Sequence, residues 1–211
     1  MAMSQRNYRG VSADQRRDRR REQLLDAGLD LLGSQGWRQA TMTAICTRAG
    51  LTERYFYENF AHRDELLLAV LDRIAAQIRD VALRALAESD GDPQAKAEAA
   101  IGAFIDLLTN DPRIGRVAML ESAAEPLRAR RHELLLEFGQ LIATQARALY
   151  GNEALPPPQD QINGLMLTGG LAELLMAWLT GELPLQRQDL IDTAAAHFAA
   201  TARRHDTSPP P

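Results

Sequence analysis

A single cysteine, Cys46, stands in the 211 residues, so no disulfide within the chain can staple the fold. A lone thiol fits a reducing compartment, and the expected location is the cytoplasm. The four histidines, His62, His132, His197 and His205, are dispersed, and no cysteine or acid set at metal-ligand spacing accompanies them. A glycine loop that could cradle phosphate, a nucleophile elbow and a convincing pair of acids are all missing. These absences argue against an enzyme, and no metal or organic cofactor is expected. The sequence has no run of eighteen apolar residues, so no membrane partner is expected either. The first residues, MAMSQRNYRG VSADQRRDRRR, are charged and lack the apolar core of a signal peptide. No stretch carries a strand signal, which leaves an all-α chain.

What is present is unevenly distributed charge. The formal net charge is −4, yet residues 1–66 hold eleven arginines against nine acids, and residues 67–211 hold thirteen basic against nineteen acidic residues. Within residues 1–21, seven arginines face two aspartates. Positive charge gathered at one end suits contact with phosphates, and the acidic remainder would keep nucleic acid off the rest. The arginine run reads either as a flexible arm that touches DNA or as a solvated helix start.

The stretch TMTAICTRAG LTERYFYENF, residues 41–60, reads as two short helices joined at Gly50, the grammar of a helix-turn-helix. Thr41 and Thr52 are placed to cap the two helices, because a hydroxyl can accept an orphan backbone N–H. Gly50 falls where the chain must reverse through a left-handed conformation. Ile45, Leu51, Phe56 and Phe60 form the apolar side, which leaves Arg54, Tyr55, Tyr57 and Asn59 to point elsewhere. An amphipathic helix with Leu24, Leu25, Ala27, Leu31 and Leu32 precedes this segment and stops at Gly36. Arg63-Asp64-Glu65-Leu66 opens the next helix with acids in its first turn, as the helix dipole prefers.

That next helix carries Leu66, Val70, Ile74, Ile78 and Val81 and is expected to run to about residue 87. Further helices are expected around Ala100–Leu108, 114–121 and 134–149, and over 159–180 and 185–204, with Pro156-Pro157-Pro158 forcing a connection. The expectation is about nine helices: a flexible basic arm over 1–19, a three-helix unit over 20–66, a six-helix unit over 67–204, and a disordered tail over 205–211. Glycines in 159–180 and alanines in 185–204 would let helix backbones approach closely.

The residues Ala27, Leu31, Gly36, Thr41, Ile45, Ala49-Gly50-Leu51-Thr52, Phe56-Tyr57, Phe60 and Arg63 through Leu66 resemble the N-terminal domain of the TetR (tetracycline repressor) family of bacterial regulators. The resemblance spans roughly residues 20 to 70. Departures are Arg63 where lysine is frequent, Arg54 and Tyr55 where small or flexible residues are frequent, and Cys46 where alanine is frequent.

The resemblance implies a DNA-binding transcriptional regulator. It implies an N-terminal helix-turn-helix domain and a C-terminal helical domain that binds a small ligand and pairs two copies through the last two helices. On that basis Thr52, Tyr57 and Arg63 are expected on the DNA backbone, and Thr41 and Thr43 close to the opposite groove wall. Arg54 is expected on guanine, and Tyr55 on a base edge or packed on Trp37 or the domain core; Asn59 completes the surface. Phe104, Leu108, Met119, Phe138, Leu141, Met176 and Trp178 are expected ligand-lining residues, and their character suggests an apolar or aromatic effector. Glu121 and Glu125 could meet a cationic group or be plain surface.

The leading expectation is a repressor that binds a palindromic operator as a homodimer and is released by its effector. An activator of the same fold and a ligand-independent architectural DNA-binding protein are the alternatives.

Overall fold

The computed structural model describes residues 12–204 and contains, among them, nine α-helices and an isolated bridge between Ala154 and Arg203. The chain divides into two units after Val70. The first holds α1 (Ala13–Gln35), α2 (Met42–Ala49), α3 (Glu53–Tyr57) and the start of α4 (Arg63–Glu88). The second holds the rest of α4 with α5 (Pro93–Asn110), α6 (Pro112–Gly115), α7 (Arg128–Tyr150), α8 (Gln159–Leu179) and α9 (Arg187–Thr201). A wide turn over Arg116–Leu120 and a tight one over Glu121–Ala123 continue α6 toward α7.

Local chemistry sets the ends. Ser12 and Gln15 form a capping box at the start of α1, and Gly36 at φ 86° closes it. The flexible arm expected over 1–19 is therefore corrected from residue 13 on, which is helix; residues 1–11 lie outside the described residues, as does the expected tail at 205–211. Asp92 and Asp111 cap α5 and α6, each followed by a proline in the first turn, where a missing N–H costs nothing. These Asp-Pro pairs thus start helices as well as end them. At the head of α4, the Glu65 amide donates to Nδ1 of His62 while the Glu65 carboxylate accepts the Ala61 amide at 2.6 Å.

The first unit closes over Leu24, Leu32, Ile45, Phe56, Phe60, Leu66 and Leu67, all fully or almost fully buried. Burying each such side chain contributes about 1.5–3 kcal/mol. In the second unit Ala97, Ala146, Ala195, Phe198 and Ala202 form one buried cluster. Arg147 on α7 pairs at 2.6 Å with the buried carboxylate of Asp160 on α8. Arg187 on α9 reaches Asp106 and the Gly102 carbonyl on α5.

Within the chain α7 and α8 approach closely, with Gly164 against the backbone of Gly139, while Gly169 and Gly170 leave open space beside α8. By length and composition α8 is apolar enough to cross a membrane, a test that an apolar packing helix also passes. Ile162, Leu165 and Met166 make its outward side apolar and exposed.

Candidate functional site

Gly50 sets the geometry of the DNA-reading segment. At φ 66° and ψ 30° it is left-handed, and its amide turns back to the carbonyls of Cys46 and Thr47 to end α2. Thr41 caps α2 as expected, its hydroxyl accepting the Ala44 amide at 3.2 Å. Thr52 is the N-cap residue of α3 but makes no side-chain capping bond, which corrects that expectation. Ile45, Phe56 and Phe60 are buried, and burial pushes the Cys46 thiol up, the behaviour of a packing residue rather than a reactive one.

With Phe56 fully buried, α3 turns its other side outward. The Arg54 side chain is 85% exposed and Tyr57 is 59% exposed, its ring edge-on to Phe56. Thr43 is exposed, and its carbonyl accepts the Thr47 hydroxyl at 2.8 Å. Arg63 is half-buried, held by Asp64 at 2.7 Å with its guanidinium 5.8 Å from the Trp37 ring centre. These residues share one unit, and the structure keeps Thr41, Thr43, Thr52, Arg54 and Tyr57 at its surface.

Tyr55 and Asn59 differ. Tyr55 is half-buried beneath Arg20, whose guanidinium lies 4.5 Å from the ring centre; Trp37 carries Arg38 and Arg63 instead. Asn59 donates to the Tyr55 carbonyl at 2.8 Å, and its buried Oδ1 has no hydrogen-bond partner among the described residues. The side chain is thus turned back onto the last turn of α3. Glu58 is half-buried and shared between Arg20 at 3.4 Å and Arg54 at 3.2 Å. Arg20 is the residue the sequence reading missed, and no local pattern points across 35 residues to Tyr55.

In the second unit, α4 from Leu71 onward, α5, the turn after α6, α7 and α8 surround a cavity of about 220 Å³. Phe104, Met119, Phe138 and Leu141 line it. Leu108 is buried in the core away from it, and Met176 and Trp178 also lie outside; the Trp178 indole donates to the Leu185 carbonyl at 2.9 Å. Glu121 and Glu125 pair with Arg116 and Arg128, so neither faces the cavity as a free acid. The missed lining includes Leu71, Ile74 and Ile78 of α4, and Arg131, the one charged side chain in the wall among the described residues. Arg131 shares a face with Leu134, Leu135 and Phe138 at helical spacing, a signal legible in hindsight.

Residues 24–70 match the model of bacterial regulatory proteins of the tetR family. The HTH-type transcriptional regulator BetI of Klebsiella pneumoniae (strain 342) is 30% identical over 201 residues, covering 90% of this chain and 95% of that one. The chain belongs to the TetR family. It is a transcriptional regulator with a helix-turn-helix, and not an enzyme. The HTH-type transcriptional activator FasR of Mycolicibacterium smegmatis is 35% identical over 95 residues, 45% of this chain and 43% of that one. The fold matches FadR of Bacillus subtilis, solved in complex with stearoyl-CoA, with a TM-score of 0.67 at 18% identity over 86% of this chain and 97% of that one.

Proposed function

We propose that this TetR-family regulator is a repressor that binds a palindromic operator as a homodimer through α8 and α9 and is released by a small apolar or aromatic effector. The observation that carries the reading is an apolar cavity in one unit of a chain whose other unit presents Arg54 and Tyr57 on a short, well-anchored helix. A two-fold pair would set two copies of α3 into successive major grooves, about 34–36 Å apart. Its work is cytoplasmic. An effector that favours the DNA-incompetent state must lower operator affinity by the same factor by which DNA lowers effector affinity. The effector could act through α4, which lines the cavity at Leu71, Ile74 and Ile78 and is the chain's connection between the units. An activator of the same fold is the second reading, favoured by the likeness to FasR.

Fluorescence anisotropy on DNA from upstream of the protein's own gene, against scrambled DNA at about 150 mM salt, tests the reading. A preference of roughly 10³-fold or more is expected of a site-specific regulator. Binding that is blind to sequence and steeply salt-dependent would support the architectural alternative instead.

Two substitutions separate positioning from reading. Arg63→Ala should weaken binding to all sequences alike and lower the salt slope by about one unit per subunit, because one phosphate contact is lost. An unchanged slope would remove Arg63 from the backbone contacts. Arg54→Ala should relax preference at one base position by about 1–3 kcal/mol. A panel of single base-pair operator variants measures this, and an undiminished preference would end its base-reading role.

A further inference from the structure

We propose that the effector is a long unbranched aliphatic chain ending in an anion, with Arg131 as its headgroup contact; this rests on the ligand-responsive reading above. The first cavity holds one charged side chain, Arg131, paired with Glu173 at 3.3 Å. Arg131 is 23% exposed and Glu173 is 62% exposed, so the protein fixes the cation while its present partner is free to move into water. A ligand carboxylate can take that partner's place with a bidentate, charge-assisted contact. The remaining polar groups are spent on their own helices. The Ser122 hydroxyl donates to the Ala118 carbonyl at 2.6 Å and the Thr168 hydroxyl to the Gly164 carbonyl at 2.9 Å. Polar groups on the part of a ligand beside Ser122 and Thr168 would find these hydroxyls already bonded.

The shape points the same way. A second cavity of about 140 Å³ adjoins the first and shares with it Ala82, Ala100, Ile101, Leu141, Ile142 and Leu171. Together the two volumes reach the lower end of the range for ligand pockets, about 300–1,000 Å³. Along α7 the lining runs from Arg131 in the first cavity to Gln145 in the second, about 21 Å at 1.5 Å per residue. Two alanines leave room at the shared wall while four branched side chains flank it, which suits a thread rather than a fused ring system. The far end is lined by Phe198 and Ala97, with Gln145 contributing a polar side chain there.

Isothermal titration of the full chain with octanoate, laurate, palmitate and methyl palmitate tests this. Affinity should rise about fourfold per added CH₂, the equivalent of about 0.8 kcal/mol, until the second cavity is filled. The uncharged ester should bind about tenfold or more weakly than the acid, as expected when a bond to a charged group is lost. Arg131→Met should cost palmitate that same factor and leave methyl palmitate unchanged. Ile142→Trp, which fills the shared wall, should cost palmitate its advantage and leave octanoate bound, so retained octanoate binding also reports an intact fold. Palmitoyl-coenzyme A beside palmitate distinguishes a phosphorylated carrier from a free carboxylate as the source of the charge.

Equal binding of acid and ester, no dependence on chain length, or tighter binding of naphthoate than of laurate would overturn the proposal. Operator anisotropy in parallel separates the two readings. Palmitate that binds without changing DNA affinity overturns ligand response and leaves the ligand class standing. Intact operator binding with no acid bound overturns the ligand class alone.

Discussion

Met166→Asp should leave each subunit folded and separate the pair. Met166 is 69% exposed and Ile162 is 57% exposed, and with Leu165, Gly169 and Gly170 they follow helical spacing along the outward side of α8. A change at so open a position costs a lone subunit no more than about 0.5 kcal/mol. In a two-fold interface the same change appears twice, and each carboxylate taken from water without a partner costs several kcal/mol. Thr193, Ala196 and Ala200 on the exposed side of α9 offer small surfaces for close packing, and His197 is the titratable group among them. Sedimentation equilibrium should therefore show monomer while circular dichroism stays helical. Operator affinity should fall by about 10²–10⁴-fold, the gain that linked half-sites supply. A dimer that persists with unchanged operator binding would move the interface off α8.

The parts of the molecule legible in the sequence are those set by neighbours along the chain. Thr41 caps, Gly50 reverses and Gly36 stops because each acts within four residues of itself. The apolar spacing of Ile45, Phe56 and Phe60 likewise announces the buried side of the DNA-reading segment, and with it the exposure of Arg54 and Tyr57. What stayed hidden depends on pairs far apart in sequence. Glu58 looks like a solvated acid until Arg20 on α1 is brought beside it, and Tyr55 looks free until the same guanidinium covers its ring. The cavity was half legible for the same reason. Phe104, Met119, Phe138 and Leu141 are apolar residues of their helices, but only packing decides that Leu108 is core while Ile74 and Arg131 face the void.

The hidden pairs also bear on DNA binding. Glu58 accepts from both Arg20 and Arg54, so its negative charge lies beside the outward arginine of α3. An exposed pair of this kind is worth at most about 1 kcal/mol, so a guanine can take Arg54 from Glu58 at small cost. A phosphate in high salt gains less from the exchange, because its attraction is screened.

Gly164→Val should lower the stability of the second unit by about 3 kcal/mol, the upper part of the usual range for overpacking. A Cβ at Gly164 would land on the carbonyl oxygen of Gly139, and a Cβ at Gly139 would lie 3.0 Å from the backbone of Leu165. Backbone cannot rotate aside as a side chain can, so α7 and α8 must bend or part. For a chain of this size the change corresponds to a fall in melting temperature of roughly 6–12 °C. The cavity should suffer with the fold, because Phe138 and Leu141 reach it from α7 and Thr168 and Leu171 from α8. Gly170, six residues further along α8, predicts the opposite sign. Nothing lies within 4 Å of a Cβ there, so Gly170→Ala on the Met166→Asp background should gain roughly 0.5–1 kcal/mol from the lower chain entropy of alanine. Thermal melts of both variants decide the matter. Equal effects at the two glycines would mean that backbone flexibility, and not the α7–α8 crossing, governs this helix.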